Sequence, residues 1–246
     1  MKTPTNILIT GASSGIGAAL AAEYARRGAA NIFICGRNAE RLAEVADEAA
    51  AASVAFHQKI LDVSDAAAVR AWIEECHAIA PLELIVANAG IGTGNESELE
   101  IRAMFATNVG GVVNTVLPAL DLKIPQIALV SSMTGYHGLP ACPAYSASKA
   151  CIKAWGAGLR GACARDGVKV SVICPGFVRS RITDRNTCPM PFFMEADKAA
   201  RIIARGLARN KGLITFPWQM RLIMWLAASL PECISEKILA ALPEKN

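Results

Sequence analysis

The 246-residue sequence predicts a doubly wound α/β fold, with a seven-stranded parallel sheet flanked by helices on both faces. Short β-branched apolar runs alternate with longer helical patterns, which is typical of βαβ units. Hydrophobic residues make up 53% of the chain and charged residues 19%, so a large core can be buried. No linker, repeat or low-complexity tract interrupts this alternation. We therefore predict a single domain over residues 1–246.

The predicted strands are short apolar runs bounded by turn residues or by helical patterns. They are Asn6–Thr10, Asn31–Cys35, Val54–Leu61, Leu82–Ala87, Gln126–Ser131, Val168–Cys174 and Leu213–Phe216. Between them lie helical patterns such as Ala39–Ala52 and Ala66–Ala80. Because parallel neighbours need crossover connections, this succession places helices on both faces of the sheet.

Charge and cysteine usage narrow the class of protein. The net charge of +4 comes without a dense basic stripe, which argues against a nucleic-acid partner. The eight cysteines are scattered through apolar runs, without CxxC pairs or spacing to histidines that would indicate a metal site. We expect reduced, buried thiols, no metal and a cytoplasmic location. The polar residues before Asn6 do not resemble a signal peptide.

The C-terminal extension, residues 212–246, contains a long apolar stretch from Gly212 to Pro231. Pro217, Gln219 and Arg221 interrupt it, and the apolar part after Pro217 is shorter than the roughly 20 apolar residues of a membrane span. The sequence leaves three alternatives open for this extension: a core helix, a subunit interface, or weak peripheral contact with a membrane surface.

A glycine-rich segment, ILITGASSGIG, runs from the first predicted strand into a helical pattern. Glycines allow a tight turn and close approach of the backbone to a pyrophosphate, and a helix N-terminus favours negative charge. The segment predicts a dinucleotide site formed by Gly11, Ser13, Ser14, Gly15, Ile16 and Gly17. Its spacing is TGxxxGxG rather than GxGxxG.

The segment YSASK places Tyr145 and Lys149 four residues apart, on one face of a predicted helix. A free tyrosine has a pKa of about 10, and a neighbouring lysine cation favours the phenolate. We therefore expect a lowered pKa for Tyr145. Such a pair can exchange a proton with an alcohol or carbonyl oxygen.

With these two motifs in this order, the sequence resembles the short-chain dehydrogenase/reductase family over essentially the whole chain. The resemblance implies a Rossmann-like fold, a nicotinamide cofactor, and interconversion of a carbonyl and an alcohol. Ser132 lies thirteen residues before Tyr145, where the family has a serine that hydrogen-bonds the substrate oxygen. Its neighbour Ser131 could be confused with it. Asn108 matches the family's asparagine, which holds a water in a proton relay to Lys149.

The resemblance also assigns further cofactor contacts, among them Tyr145 and Lys149 themselves. Asp62 and Val63 match an adenine-contacting pair, and a second set matches the wall of the cofactor site and the nicotinamide contacts. That second set is Asn88, Ala89, Gly90, Pro175, Gly176, Val178 and Ser180. Serine replaces the family's more usual threonine at position 180, which keeps the hydroxyl.

The end of the second strand, FICGRN, bears on the choice of cofactor. Gly36 stands where NAD-dependent members carry an aspartate, and Arg37 follows, where a guanidinium can pair with a 2′-phosphate. We predict NADP(H). NAD(H) stays the alternative, because Ser14 occupies the place of a second basic residue.

Residues 180–194 form the predicted substrate loop. Its apolar members are Pro189, Met190, Phe192, Phe193 and Met194, which favour an apolar or lipid-like substrate. Packing of these residues on the core is the alternative. A sugar or polyol reductase and an NADP(H)-binding redox sensor are the competing functions. The resemblance further implies a homodimer or homotetramer.

Overall fold

The computed structural model describes residues 3–49, 54–92, 96–185 and 189–230. Its seven strands form one parallel sheet in the order β3-β2-β1-β4-β5-β6-β7. The strands are β1 Asn6–Thr10, β2 Asn31–Gly36, β3 Ala55–Ile60, β4 Leu84–Ala87, β5 Gln126–Val130, β6 Lys169–Pro175 and β7 Leu213–Phe216. The predicted fold class is confirmed, and each strand lies within two residues of its predicted bounds.

Eight helices connect and cover the described strands. They are α1 Gly15–Arg26, α2 Ala39–Ala49, α3 Ala66–Ile79, α4 Glu98–Phe105, α5 Gly111–Asp121, α6 Pro143–Ala162, α7 Ala196–Ala208 and α8 Trp218–Ser229. Short 3-10 turns occur at Met133–Tyr136, Cys163–Asp166 and Thr183–Arg185. The end of the predicted helix Ala39–Ala52 lies outside the described residues.

The core is divided by the sheet into two layers. Along β1, Ile7 and Ile9 face a layer that includes residues of α1 and α7, whereas Leu8 faces a layer that includes residues of α3, α5 and α6. Successive side chains of a strand point to opposite faces, so a strand covered on both sides must be apolar throughout. This is why continuous apolar runs, rather than alternating ones, predicted the strands.

The chain reverses its direction of winding beside β1. Strand β1 pairs with β2 on one side and with β4 on the other, in parallel register. In such sheets a crevice opens outside the carboxyl ends of the strands at the switch point. Gly11 follows β1 and Asn88 follows β4. The glycine segment and the segment Asn88-Ala89-Gly90, called the NAG segment below, therefore meet at this crevice.

A one-turn π-helix, Ala106–Gly110, joins α4 and α5 into a continuous helical segment, Glu98–Asp121. By length and apolarity alone this segment could cross a membrane, but half of its most apolar window is buried inside the protein. Asn108, within the π turn, is completely buried. The segment is therefore best understood as a core helix with a local insertion around the buried Asn108.

Helix α8 carries the apolar stretch of the C-terminal extension. Met224 is buried, but large apolar side chains on the rest of the helix are exposed: Trp218, Leu222, Ile223, Trp225 and Leu226. Among the described residues, nothing buries this face of α8, so the core-helix alternative does not hold for it. Residues 231–246 lie outside the description.

Candidate active site

A cleft of about 300 Å³ opens at the switch point of the sheet. It collects nearly all the side chains and backbone segments that the sequence assigned to cofactor and catalysis. Its predicted members are Gly11, Ser13, Ser14, Gly15, Ile16, Arg37, Asp62, Val63, Asn88, Ala89, Gly90, Ser132, Tyr145, Lys149, Pro175, Gly176, Val178 and Ser180. Gly17 and Asn108 are the predicted site residues that do not line it.

At its three glycines, the loop passes too close to its neighbours to leave room for a side chain. A Cβ at Gly11 would lie 2.6 Å from Cα of Ala89, and one at Gly15 would lie 2.9 Å from Cβ of Ser180. Both residues have positive φ, +66° and +58°, which favours glycine. A Cβ at Gly17 would lie 2.5 Å from the carbonyl oxygen of Gly11. The resulting cradle exposes backbone at the start of α1, which fits a pyrophosphate.

Asn88 braces this loop with its side chain. Its Nδ2 donates to the carbonyl oxygens of Thr10, at 2.9 Å, and Gly11, at 3.1 Å. The Thr10 hydroxyl in turn accepts from the backbone N–H groups of Asn88 and Ala89. The ends of β1 and β4 are therefore locked together at the mouth of the cleft.

The far end of the cleft lies beside β2 and carries exposed charges. The guanidinium of Arg37 lies 3.6 Å from a carboxylate oxygen of Asp62. A hydrogen bond from the backbone N–H of Ser64 holds the pKa of Asp62 below its usual value, and Arg37 acts in the same direction. Arg41, in the first turn of α2, lines the same end, and the sequence analysis missed it. Its spacing of four from Arg37 was the available signal.

Tyr145 and Lys149 lie on α6, and the two neighbouring serines after β5 separate into different roles. The Ser132 hydroxyl hydrogen-bonds the Tyr145 phenol. The Ser131 hydroxyl instead donates to the carbonyl oxygen of Lys149 at 2.6 Å, so it pins α6 to the end of β5. Ser132 is thus the serine that faces the Tyr145 phenol.

The expectation of a lowered pKa for Tyr145 is wrong for this structure. Burial raises the pKa of Tyr145 to about 12, with the Ser132 hydrogen bond acting in the opposite direction. Burial also lowers the pKa of Lys149 to about 8. The Lys149 ammonium donates to the carbonyl oxygen of Val130, and its Nζ lies 5.7 Å from the centroid of the Tyr145 ring. Loss of hydration therefore outweighs the attraction that the sequence motif implied.

Asn108 lies beneath the cleft, with its amide fully engaged in protein contacts. Its Oδ1 accepts from the backbone N–H of Ile91 at 2.8 Å, and its Nδ2 donates to the Ile91 carbonyl oxygen and to the Ser148 hydroxyl. A Cβ at Gly90 would lie 3.2 Å from both Asn108 Oδ1 and Lys149 Nζ. The relay role that the resemblance implies for Asn108 stays a prediction.

The substrate loop is placed differently from the expectation. Of its described residues, those at its start line the cleft, namely Ser180, Arg181, Ile182 and Thr183. Phe192 and Phe193 are exposed outside it, and Met194 is buried, with its N–H bonded to the carbonyl oxygen of Phe177. The described apolar residues from 189 to 194 therefore do not form a pocket wall here, because the chain after residue 188 turns back to pair with Val178.

Other residues complete the cleft without a sequence signal of their own. They are Leu61, Ile91, Gly92, Thr107 and Val130. Gly36, which the sequence analysis used for the choice of cofactor, lines the cleft as well. Among the described residues, no three His, Cys, Asp or Glu side chains lie close enough together to hold a metal ion. The described cysteines are all unbridged.

Comparison with known proteins places this geometry in a family. Residues 5–189 match the family model of the short chain dehydrogenases. An uncharacterised oxidoreductase of Myxococcus xanthus is 41% identical over 233 residues, which cover 91% of this chain and 92% of the relative.

Solved structures share the fold at low sequence identity. A short-chain dehydrogenase from Sphingobium yanoikuyae in complex with NADPH has a TM-score of 0.77 at 24% identity, covering 92% of this chain and 96% of that one. A short chain dehydrogenase from Mycobacterium paratuberculosis bound to NAD has a TM-score of 0.75 at 21% identity, with 87% and 96% covered. Both forms of the nicotinamide cofactor thus occur among proteins of this fold. Matched in sequence over three quarters of its length and built around the same crevice, the chain belongs to the short-chain dehydrogenase/reductase family and is an oxidoreductase that acts on CH–OH groups with a nicotinamide cofactor.

Proposed function

We propose that this protein is an NADP(H)-dependent enzyme that interconverts a carbonyl and an alcohol on an apolar or lipid-like substrate. The observation that carries the proposal is the convergence of Ser132, Tyr145 and Lys149 on one wall of the cleft that the glycine loop enters. A protein that only sensed the cofactor would not need this set. The same cleft supports the assignment of all of these residues to one reaction.

The proposed division of labour depends on protonation and position. When bound, NADPH supplies the hydride that adds to the carbonyl carbon. Ser132 and Tyr145 hold the carbonyl oxygen, and Tyr145, neutral near pH 7 because of its raised pKa, donates the proton that completes the alcohol. Lys149, with a pKa of about 8, exchanges protons near neutrality and returns one toward Tyr145. Asn108 bonds the backbone of Ile91 and the hydroxyl of Ser148, the residue before Lys149, and so ties that backbone to the helix that carries Lys149. Oxidation uses the same groups in reverse.

Preference for NADP(H) is supported by two guanidinium groups at the far end of the cleft. Arg37 and Arg41 both line it. Position 36, where NAD-dependent members of the family carry an aspartate that would repel a phosphate, is a glycine. Within the described part of the chain, Arg41 has no carboxylate partner, whereas Arg37 has Asp62. A 2′-phosphate would give Arg41 a partner and would compete with Asp62 for Arg37.

An apolar substrate is supported by the wall beside Tyr145, although not by the loop that the sequence indicated. Ile91, Gly92 and Ile182 line this part of the cleft, and a Cβ at Gly92 would lie 2.9 Å from Cγ2 of Ile182 and 3.6 Å from the Tyr145 ring. A sugar would need several hydrogen-bonding side chains here. Besides Lys149, Arg181 is a charged residue that lines this end of the cleft.

Domain count, location and assembly belong to the same proposal. We infer one domain over residues 1–246, a cytoplasmic location and a homo-oligomer. The exposed apolar face of α8 supports a contact with another surface, either a neighbouring subunit or, weakly, a membrane.

The test is transfer of deuterium from NADPH labelled at the hydrogen that the nicotinamide donates. The protein would be incubated with lipid and aqueous fractions of a cell extract, and products would be analysed by mass spectrometry. We expect label in carbonyl-derived alcohols of the lipid fraction, and loss of that label in Tyr145→Phe. Label confined to the aqueous fraction would contradict the apolar substrate. Label that persists in Tyr145→Phe would contradict the catalytic assignment.

A further inference from the structure

The first turn of α6 is capped by a residue from a distant part of the chain. The N-cap residue of this helix, Cys142, makes no side-chain cap hydrogen bond. The carboxylate of Glu96 instead accepts from the backbone N–H of Ala144 at 2.9 Å and from that of Tyr145 at 3.1 Å. One side chain thereby satisfies two amides that a helix N-terminus leaves without intrahelical partners. One of these two amides belongs to the proposed proton donor.

Glu96 lies in the segment between Gly90 and α4, of which the structure describes residues 91, 92, 96 and 97. The segment is held at its start by Asn108, which bonds both the N–H and the carbonyl oxygen of Ile91. Its next residue, Gly92, lies beside the Tyr145 ring, since a Cβ added there would come within 3.6 Å of it. At its end, Ser97 and Glu100 form a capping box that fixes the start of α4. Glu96 is therefore where this segment is joined to the helix that carries Tyr145.

The position of Tyr145 within α6 makes this contact consequential. Tyr145 is the third residue of the helix, where helices fray, whereas the hydrogen bonds from Asn108 to Ser148 and from Ser131 to Lys149 hold α6 about one turn later. The negative charge of Glu96 also suits a helix N-terminus, where unpaired N–H groups create positive potential. Without Glu96, the helix would keep its hydrogen bonds at Ser148 and Lys149, but its first turn would lose the two bonds at Ala144 and Tyr145.

We propose that Glu96 is a positioning residue for Tyr145: it fixes the first turn of α6 against the segment that lines the cleft, and thereby sets the phenol against Ser132 and the substrate oxygen. The proposal rests on the proposed role of Tyr145 as proton donor. A displacement of about 1 Å at a reacting group lowers rates by up to about a hundredfold. Cofactor affinity should not change, because Glu96 does not line the cleft.

The experiment compares Glu96→Gln and Glu96→Ala with Glu100→Gln as the matched control. Glu100 is a capping carboxylate four residues further along the chain, but it caps α4 rather than α6. Hydrogen exchange would be measured at the amides of Ala144 and Tyr145, together with the dissociation constant of NADPH. Both are measured on the whole protein and require no substrate. The kcat and KM would be measured with the carbonyl compound identified by deuterium transfer, well below the melting temperature.

We expect faster exchange at both amides in the two Glu96 variants, and a kcat about tenfold lower in Glu96→Ala, equivalent to about 1.4 kcal/mol of barrier. Glu96→Gln keeps one acceptor oxygen and should retain part of the rate. NADPH affinity and the substrate KM should stay within about twofold, and Glu100→Gln should leave kcat unchanged.

Three results would overturn the inference: unchanged amide exchange, an unchanged kcat, or a loss of kcat that Glu100→Gln reproduces. Tyr145→Phe separates this failure from failure of the proposed function. If that variant stays active, Tyr145 is not the proton donor and the proposed function falls. If it is inactive while the Glu96 variants behave as wild type, only the positioning role falls.

Discussion

The two ends of the cleft differ in how their charged side chains are exposed and paired. At the end that we propose to be catalytic, Lys149 is 3% exposed and its ammonium is bonded to the carbonyl oxygen of Val130, not to any carboxylate of the described residues. At the far end, beside β2, the side chains of Arg37 and Asp62 are 63% and 44% exposed and form an ion pair. Burial dominates the pKa values of Tyr145 and Lys149, whereas a backbone hydrogen bond dominates that of Asp62.

In the proposed function, the buried end carries out the reaction and the exposed end selects the cofactor, so the two tasks depend on differently hydrated charges. A buried lysine without a carboxylate partner is costly to keep charged, so the catalytic end should carry a stability penalty. The exposed end is screened by water and salt, so its charges should contribute little to folding but can still select a phosphate. Mutations at the buried end should therefore change both kcat and the free energy of unfolding, whereas mutations at the exposed end should change the cofactor preference.

The largest expected effect is that of Lys149→Met, which should lower kcat by about 10²- to 10⁴-fold, the range of a lost general acid–base group. The same variant should be more stable than wild type at pH 7. The native pKa of Lys149, about 8, lies below its ordinary 10.5, so the unfolded state binds the proton more tightly and the penalty is complete below pH 8. It should fade as the pH rises toward 10.5.

Urea unfolding of both proteins at pH 7 and pH 10 measures this. We expect Lys149→Met to gain up to about 3 kcal/mol at pH 7 and less at pH 10. A variant that is less stable than wild type at pH 7 would mean that the hydrogen bond to Val130 contributes more than the buried charge costs.

An intermediate effect is expected at the exposed end. Arg37→Ala and Arg41→Ala should each lower kcat/KM for NADPH about ten- to a hundredfold, the value of a charge-assisted hydrogen bond, without changing kcat/KM for NADH. Raising the salt concentration should weaken NADPH binding in wild type more than in either variant. Arg102→Ala, which removes an exposed arginine paired with Glu98 on α4, is the control.

If Arg37→Ala changes the ratio of NADPH to NADH activity and Arg41→Ala does not, the phosphate contact belongs to Arg37 alone. Equal losses with both cofactors in either variant would contradict a role in 2′-phosphate recognition. Unfolding free energies should stay within about 0.5 kcal/mol of wild type, as expected for exposed substitutions.

The smallest effect is expected from Gly90→Ala, which sharpens the comparison within the buried end. The added Cβ would lie 3.2 Å from both Asn108 Oδ1 and Lys149 Nζ, which is tight but leaves room for small shifts. We expect a few-fold loss of kcat and a loss of about 1–3 kcal/mol in unfolding free energy, the usual cost of overpacking. Stopped-flow measurement of NADPH oxidation and urea unfolding would detect both. An unchanged kcat would mean that Asn108 and Lys149 can move apart without consequence.

The sequence by itself determined the sheet and most of the cleft, for reasons that are local. Strands covered on both faces must be continuously apolar, which is why Asn6–Thr10 and Gln126–Ser131 could be recognised within a residue of β1 and β5. The glycine loop and the Tyr145–Lys149 pair are also local signals, since each acts within one turn of backbone. Strand order at the switch point then brings them together.

Tertiary structure alone decided the features that depend on distant contacts or on hydration. The capping of α6 by Glu96 joins residues 48 and 49 positions apart, and no spacing rule predicts it. Met194 is buried because its segment pairs with Val178, which apolarity alone could not distinguish from a substrate wall. The pKa of Tyr145 moved opposite to the expectation because desolvation depends on every atom packed around the phenol, whereas the sequence revealed only one neighbouring charge.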